Sequence, residues 1–122
     1  MAVRTETVAP SWRDGRVTSW LTTLDHKRIG ILYIVTSFFF FFAAGLMALL
    51  MRTQLAQANN DVFTENSYNQ LFTIHGTMMI FLFVVPILAG FANYFVPLMI
   101  GARDMAFPRL NALSYWLFLL GG

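Results

Sequence analysis

The stretch LFTIHGTMMIFLFVVPILAGFANYFVPLMI, residues 71–100, decides the fold. It contains no Asp, Glu, Lys or Arg and is longer than the ~20 residues a helix needs to cross a bilayer. It therefore reads as a tilted or projecting membrane span, with Pro86 and Pro97 as candidate kinks. Working outward, a second apolar run covers Ile29–Met51 and a third begins at Leu110. The whole chain has 122 residues, 57% of them apolar and 11% charged, where soluble domains carry ~25% charged residues. The expected class is all-α: a polytopic transmembrane helical bundle with spans at about 29–51 and 71–100, and a third at 110–122 that the chain cuts short. Two and a half helices bury little among themselves, which points to part of a larger fold.

The other boundaries follow from composition. Residues 1–19 are polar and without sustained periodicity and read as a mobile tail, leaving 20–122 as the membrane domain. The Asp25-His26-Lys27-Arg28 cluster is expected among lipid headgroups, and Asn59-Asn60-Asp61 is expected to turn the loop of residues 53–69. Five Lys or Arg precede the first span, one lies between the first and second, and two between the second and third, which puts the N-terminus in the cytoplasm. The net charge of +2 is scattered and gives no nucleic-acid surface. With no cysteine there are no disulfides, zinc-thiolate sites or iron–sulfur clusters. Phe38–Phe42 sweep 400° of helix at 100° per residue, so they cannot share one partner and read mainly as lipid-facing bulk. Ala44 and Ala48 offer a small-xxx-small face for another helix.

Few polar groups remain near the membrane. His75 lies about one turn inside the second span, where an imidazole either hydrogen-bonds a neighbouring helix or gives one nitrogen to a metal while the other fixes the ring. Arg52 ends the first span on the same side, as a snorkelling anchor or as a cation near whatever His75 binds, and a simple hairpin sets the two at similar depth. Asn93 follows His75 by 18 residues, five helical turns, and so shares its face about 27 Å away, near the cytoplasmic surface. There it bonds another helix or orders water. Asp104, in the connection of residues 101–109, is a solvated charge, a helix cap or a proton collector, and Asn111 lies just beyond it.

The segments TTLDHKRIGILY at 22–33, LLMRTQL at 49–55, LFTIHGTMMIF at 71–81 and ANYFVPLMIGARDMAFPRLNALSYW at 92–116 resemble the N-terminal part of subunit I of the haem-copper oxidases, which reduce oxygen to water and pump protons. The resemblance implies that His75 is an axial iron ligand of the low-spin haem and that Arg52 bonds the formyl group of haem A. It implies that Asp104 opens a proton pathway whose first waters Asn93 and Asn111 hold. The high-spin haem and copper would belong to the full subunit, with ligands outside this chain, which alone is not expected to be an oxidase. Implied partners are the remaining helices of subunit I, subunits II and III, membrane lipid and cytochrome c, in a bacterial plasma membrane. Quinol-oxidising members carry polar groups where this chain has Ala43, Met47 and Met78, which favours cytochrome c as donor. Many members also place a glutamate for an outer calcium or sodium ion where this chain has Gln54. The competing reading is a self-contained small helical membrane protein, such as a haem carrier or an assembly factor.

Overall fold

A computed structural model describes residues 15–122, all helix, turn and loop. A short helix α1 (Arg16–Leu21) leads to α2 (His26–Gln54). After a loop, α3 (Glu65–Thr77), a π-helical segment (Met78–Val84) and α4 (Val85–Met99) follow one another without a break, and α5 (Pro108–Gly121) closes the chain. The all-α class is as expected. Two helices, His26–Gln54 and Glu65–Met99, are long and apolar enough to cross a membrane.

Most of the mobile tail expected at 1–19 lies outside the described residues, but its end is helical. In α1 the Thr18 hydroxyl donates to the Gly15 carbonyl and that of Ser19 to Arg16, at 2.8 and 2.7 Å. The spans begin earlier than apolar counting predicts, because capping and not hydropathy sets their first residues. The Asp25 carboxylate accepts the Lys27 N–H, and the Thr64 hydroxyl accepts that of Ser67, so the polar run Glu65–Gln70 is helical. Such caps contribute about 1 kcal/mol each. Pro108 at the start of α5 loses no helical bond, since the first N–H groups have no partner there.

The long second span ends in a Schellman turn: Gly101 takes φ +69°, its N–H bonds Leu98 O, and the Ala102 N–H bonds Pro97 O at 2.8 Å. The π turns lie just before Pro86, whose ring clashes with the preceding carbonyls of a regular helix and is relieved by a wider turn. That widening rotates α4 relative to His75, so the five-turn phase between His75 and Asn93 is not that of an ideal helix.

The buried face of α2 is a seam of small and polar groups: His26, Ile29, Gly30, Tyr33, Ser37, Ala44 and Met51. Its closest crossing is with α4, where a Cβ on Gly90 would lie 3.0 Å from Tyr33 Cβ and 3.1 Å from Gly30 O. A Cβ on Gly30 would meet Gly90 O at 3.0 Å. Beside this crossing, α5 packs on α2 through Tyr33, Tyr115 and Phe118, with Tyr33 stacked on Phe118 at 5.5 Å. The phenylalanine run divides as its rotation requires. Phe41 meets Phe83 at 4.7 Å and Phe40 meets Phe118 at 6.1 Å, while Phe39 and Phe42 stay two-thirds exposed.

Gly90→Ala in the full subunit should lower stability. The added methyl meets backbone and a Cβ that cannot rotate away, an overpacking cost of about 1–3 kcal/mol against the ~1 kcal/mol that Ala gains in helix propensity. A lowered apparent melting temperature of the detergent-solubilised protein is the expected result; an unchanged one would show that the crossing is looser than these distances.

Candidate functional site

The polar side chains gather at the two ends of the α2–α4 pair. Towards the Arg52 end, His75 is half-buried and its Nδ1 lies 2.8 Å from the carbonyl oxygen of Ala44. A carbonyl only accepts, so Nδ1 carries the proton and Nε2 keeps its lone pair. Ala44 is fully buried, and its small side chain lets the imidazole reach the backbone behind it. A Cβ on the adjacent Gly76 would meet nothing within 4 Å. The hydroxyls of Thr73 and Thr77 turn back to their own helix, onto Asn69 O and Thr73 O, and do not compete for Nε2.

Arg52 is exposed in the last turn of α2, where a cation is favourable against the helix dipole. It lies eight residues beyond Ala44, about 12 Å of helix axis, so it is two turns farther out than the His75 contact and not level with it. The simple hairpin misplaces it because α2 runs on to Gln54 and its pairing with the second span is set lower down, by the glycines.

At the other end, Asn93 is 8% exposed and shares with Asp104 an open cavity of about 280 Å³, lined also by Val96, Pro97, Ile100 and Ala102. Pro97 has no N–H to give to the carbonyl of Asn93 four residues back, so this residue has a spare main-chain acceptor as well as its amide. Asp104 is half-exposed; its Oδ1 accepts the Met105 N–H at 2.8 Å and faces His26 Nδ1 at 3.3 Å. His26 is 2% exposed, packed against the chain although its sequence neighbours are charged. Its Nδ1 also lies 3.6 Å from Asp25 Oδ1, and its Nε2 is buried without a partner.

Asn111 does not line that cavity; it sits in the first turn of α5 with its side-chain Nδ2 buried and unpartnered. The Ser114 hydroxyl donates to Asn111 O at 2.7 Å, so in its 2.9 Å contact with Tyr33 the phenol must be the donor. One turn on, Thr36 and Tyr115 share a 3.0 Å hydroxyl contact. Two hydroxyl pairs, Tyr33–Ser114 and Thr36–Tyr115, thus bridge α2 and α5 beyond Asn111.

Sequence reasoning missed His26, Tyr33 and Ser114. Each finds its partner 78 to 81 residues away, beyond any local pattern. One signal was present: His26, Tyr33, Ser37, Ala44 and Met51 recur at helical intervals, marking one small and polar face through an apolar span.

The fold and these two ends define an all-α membrane chain with a ligand-competent histidine at one level and a carboxylate-bearing polar mouth at the other. Residues 28–122 match the family described as cytochrome c and quinol oxidase polypeptide I, and the chain belongs to that family. It is 58% identical over 106 residues to the putative cytochrome c oxidase subunit 1-beta of Streptomyces avermitilis, covering 87% of this chain and 19% of that protein. It is 63% identical over 95 residues to cytochrome c oxidase subunit 1 of Thermostichus vulcanus, covering 77% and 17%. To the heme-copper oxidase subunit I+III of Aeropyrum pernix it is 56% identical over 103 residues, covering 84% and 13%. The chain thus spans about a fifth of the length of the relatives it matches, or less.

His26→Phe in the intact subunit should loosen the connection of residues 101–107 by removing a hydrogen bond to a carboxylate. Because Asp104 is half-exposed the cost should be about 1 kcal/mol. Amide exchange in 101–107 should rise several-fold; unchanged exchange would show that the 3.3 Å contact does not hold the loop.

Proposed function

We propose that this chain is part of the catalytic subunit of a proton-pumping cytochrome c oxidase, supplying one axial histidine of the low-spin haem and the mouth of a proton pathway. The observation that carries the reading is the hydrogen bond from His75 Nδ1 to Ala44 O. It holds the ring and leaves Nε2 as the basic nitrogen that axial ligation of iron requires. The iron's other ligand, the high-spin haem and the copper would be held by the rest of the subunit. A haem held by His75 would supply one-electron transfer.

Arg52 is the cation for the outer edge of that haem. A positive charge beside a conjugated formyl group would raise the reduction potential, so Arg52 would tune a haem A held by His75. Asp104 collects protons from the cytoplasmic side and passes them to water held by Asn93 and, farther in, by Asn111 and the Ser114–Tyr33 hydroxyls. The shared cavity of Asn93 and Asp104 and the unpartnered Asn111 amide support this route. The N-terminal side, rich in Lys and Arg, faces the cytoplasm of a bacterial plasma membrane. Cytochrome c is the electron donor, since Ala43, Met47 and Met78 give no hydrogen bond to a quinol head. Subunits II and III and the remaining helices of subunit I complete the assembly within membrane lipid.

His75→Asn in the intact oxidase separates packing from ligation. The asparagine amide can donate to Ala44 O as Nδ1 does, but it has no atom at the Nε2 position. The subunit should assemble and lack the low-spin haem band; a band of wild-type position and intensity would refute the ligand assignment. Asp104→Asn should leave the haem spectrum unchanged and slow oxygen reduction at least tenfold, about 1.4 kcal/mol of barrier, with loss of pumping. Wild-type turnover and pumping would refute the proton role.

A further inference from the structure

The outer loop between α2 and α3 is held shut by neutral amides. The Oε1 of Gln54 accepts the Phe63 N–H at 2.8 Å, and its Nε2 donates to the carbonyl of Asn60. Asn60 answers with its own side chain, whose Nδ2 donates to Thr53 O at 2.8 Å. Asn59, at φ +60°, makes the left-handed bend that brings residue 60 back to the end of α2. Both polar atoms of Gln54 are thus committed to opposite strands of the loop, one to a donor and one to an acceptor.

A carboxylate at residue 54 could accept from Phe63 in the same way. It could not donate to Asn60, and its second oxygen would face the Asn60 carbonyl. Two oxygens and a negative charge then lie where a donor is needed, a cluster that a hard cation would reconcile by accepting lone pairs from both. Glutamine makes the same closure with its own N–H. The donor set here does not fit a calcium or sodium ion, because the one oxygen of Gln54 is engaged by the Phe63 N–H and its other polar atom is an N–H donor that occupies the Asn60 carbonyl an ion would use.

We propose that Gln54 and Asn60 form an amide clip that takes the place of a bound cation, so that the outer loop of this oxidase subunit closes without calcium or sodium. The proposal concerns the loop alone and does not rest on the haem or proton assignments. Unlike an ion, the clip is always present and cannot be stripped by a chelator.

Hydrogen exchange of the peptide spanning residues 55–68, followed by mass spectrometry on the intact oxidase in sodium-free buffer with EDTA and in millimolar calcium or sodium, tests it. Wild type should exchange at one rate in all three. Gln54→Glu should exchange about tenfold faster in EDTA, the change expected when one well-made hydrogen bond becomes a repulsive contact, and should slow again when calcium or sodium is added. Gln54→Ala should exchange fast regardless of cation, which shows that the variants' behaviour reports the clip and not general unfolding. The proposal is overturned if calcium or sodium slows the wild-type loop, if Gln54→Glu matches wild type in EDTA, or if neither cation slows that variant.

Discussion

The close crossing of α2 and α4 at Gly30 and Gly90 is the contact on which the rest of the arrangement depends. In an apolar medium, helices gain little from burying one apolar face against another, so association relies on close packing and on satisfying polar groups. With no side chains between them, the two backbones approach until a Cβ on either glycine would touch the other's carbonyl. The approach fixes the register of α2 against the second span in both directions. Towards the C-terminal end of α2, Ala44 comes within reach of His75; towards its N-terminal end, the connection after α4 brings Asp104 to His26.

The membrane also explains why so few polar side chains are partnered by other side chains within the spans. Each main-chain N–H is already used by the helix, but a carbonyl has a second lone pair, and the polar groups draw on it. His75 uses that of Ala44, Ser37 that of Tyr33 and Ser114 that of Asn111. For His75 the consequence is chemical, since bonding to a carbonyl determines which nitrogen keeps the proton. The backbone of one helix thereby sets the tautomer of a residue on another.

Much of this could be read in the sequence, and the unread parts have physical reasons. Apolar run length located both long helices, and the positions of His75 and Asn93 along one span separated them into opposite ends. Helix beginnings were misjudged because Asp25 and Thr64 act as caps, a local hydrogen-bonding effect that hydropathy does not register. The depth of Arg52 was misjudged because pairing register depends on two glycines 60 residues apart, each unremarkable alone. The burial of His26 is hidden by its charged neighbours, and only its phase with Ile29, Gly30 and Tyr33 places it on the buried seam.

The two ends use the same kinds of group for opposite purposes. At the outer loop, Gln54 and Asn60 match donors to acceptors, and each amide bond that the loop makes reduces its freedom to rearrange. At the inner mouth, the matching is left incomplete: His26 Nε2 and Asn111 Nδ2 are buried without protein partners, and Pro97 withholds an N–H from Asn93. Unpaired buried polar atoms cost of order 1–3 kcal/mol each unless water meets them. Partners from outside the chain, water or a neighbouring helix, can meet such groups, whereas the amides of the α2–α3 loop satisfy one another.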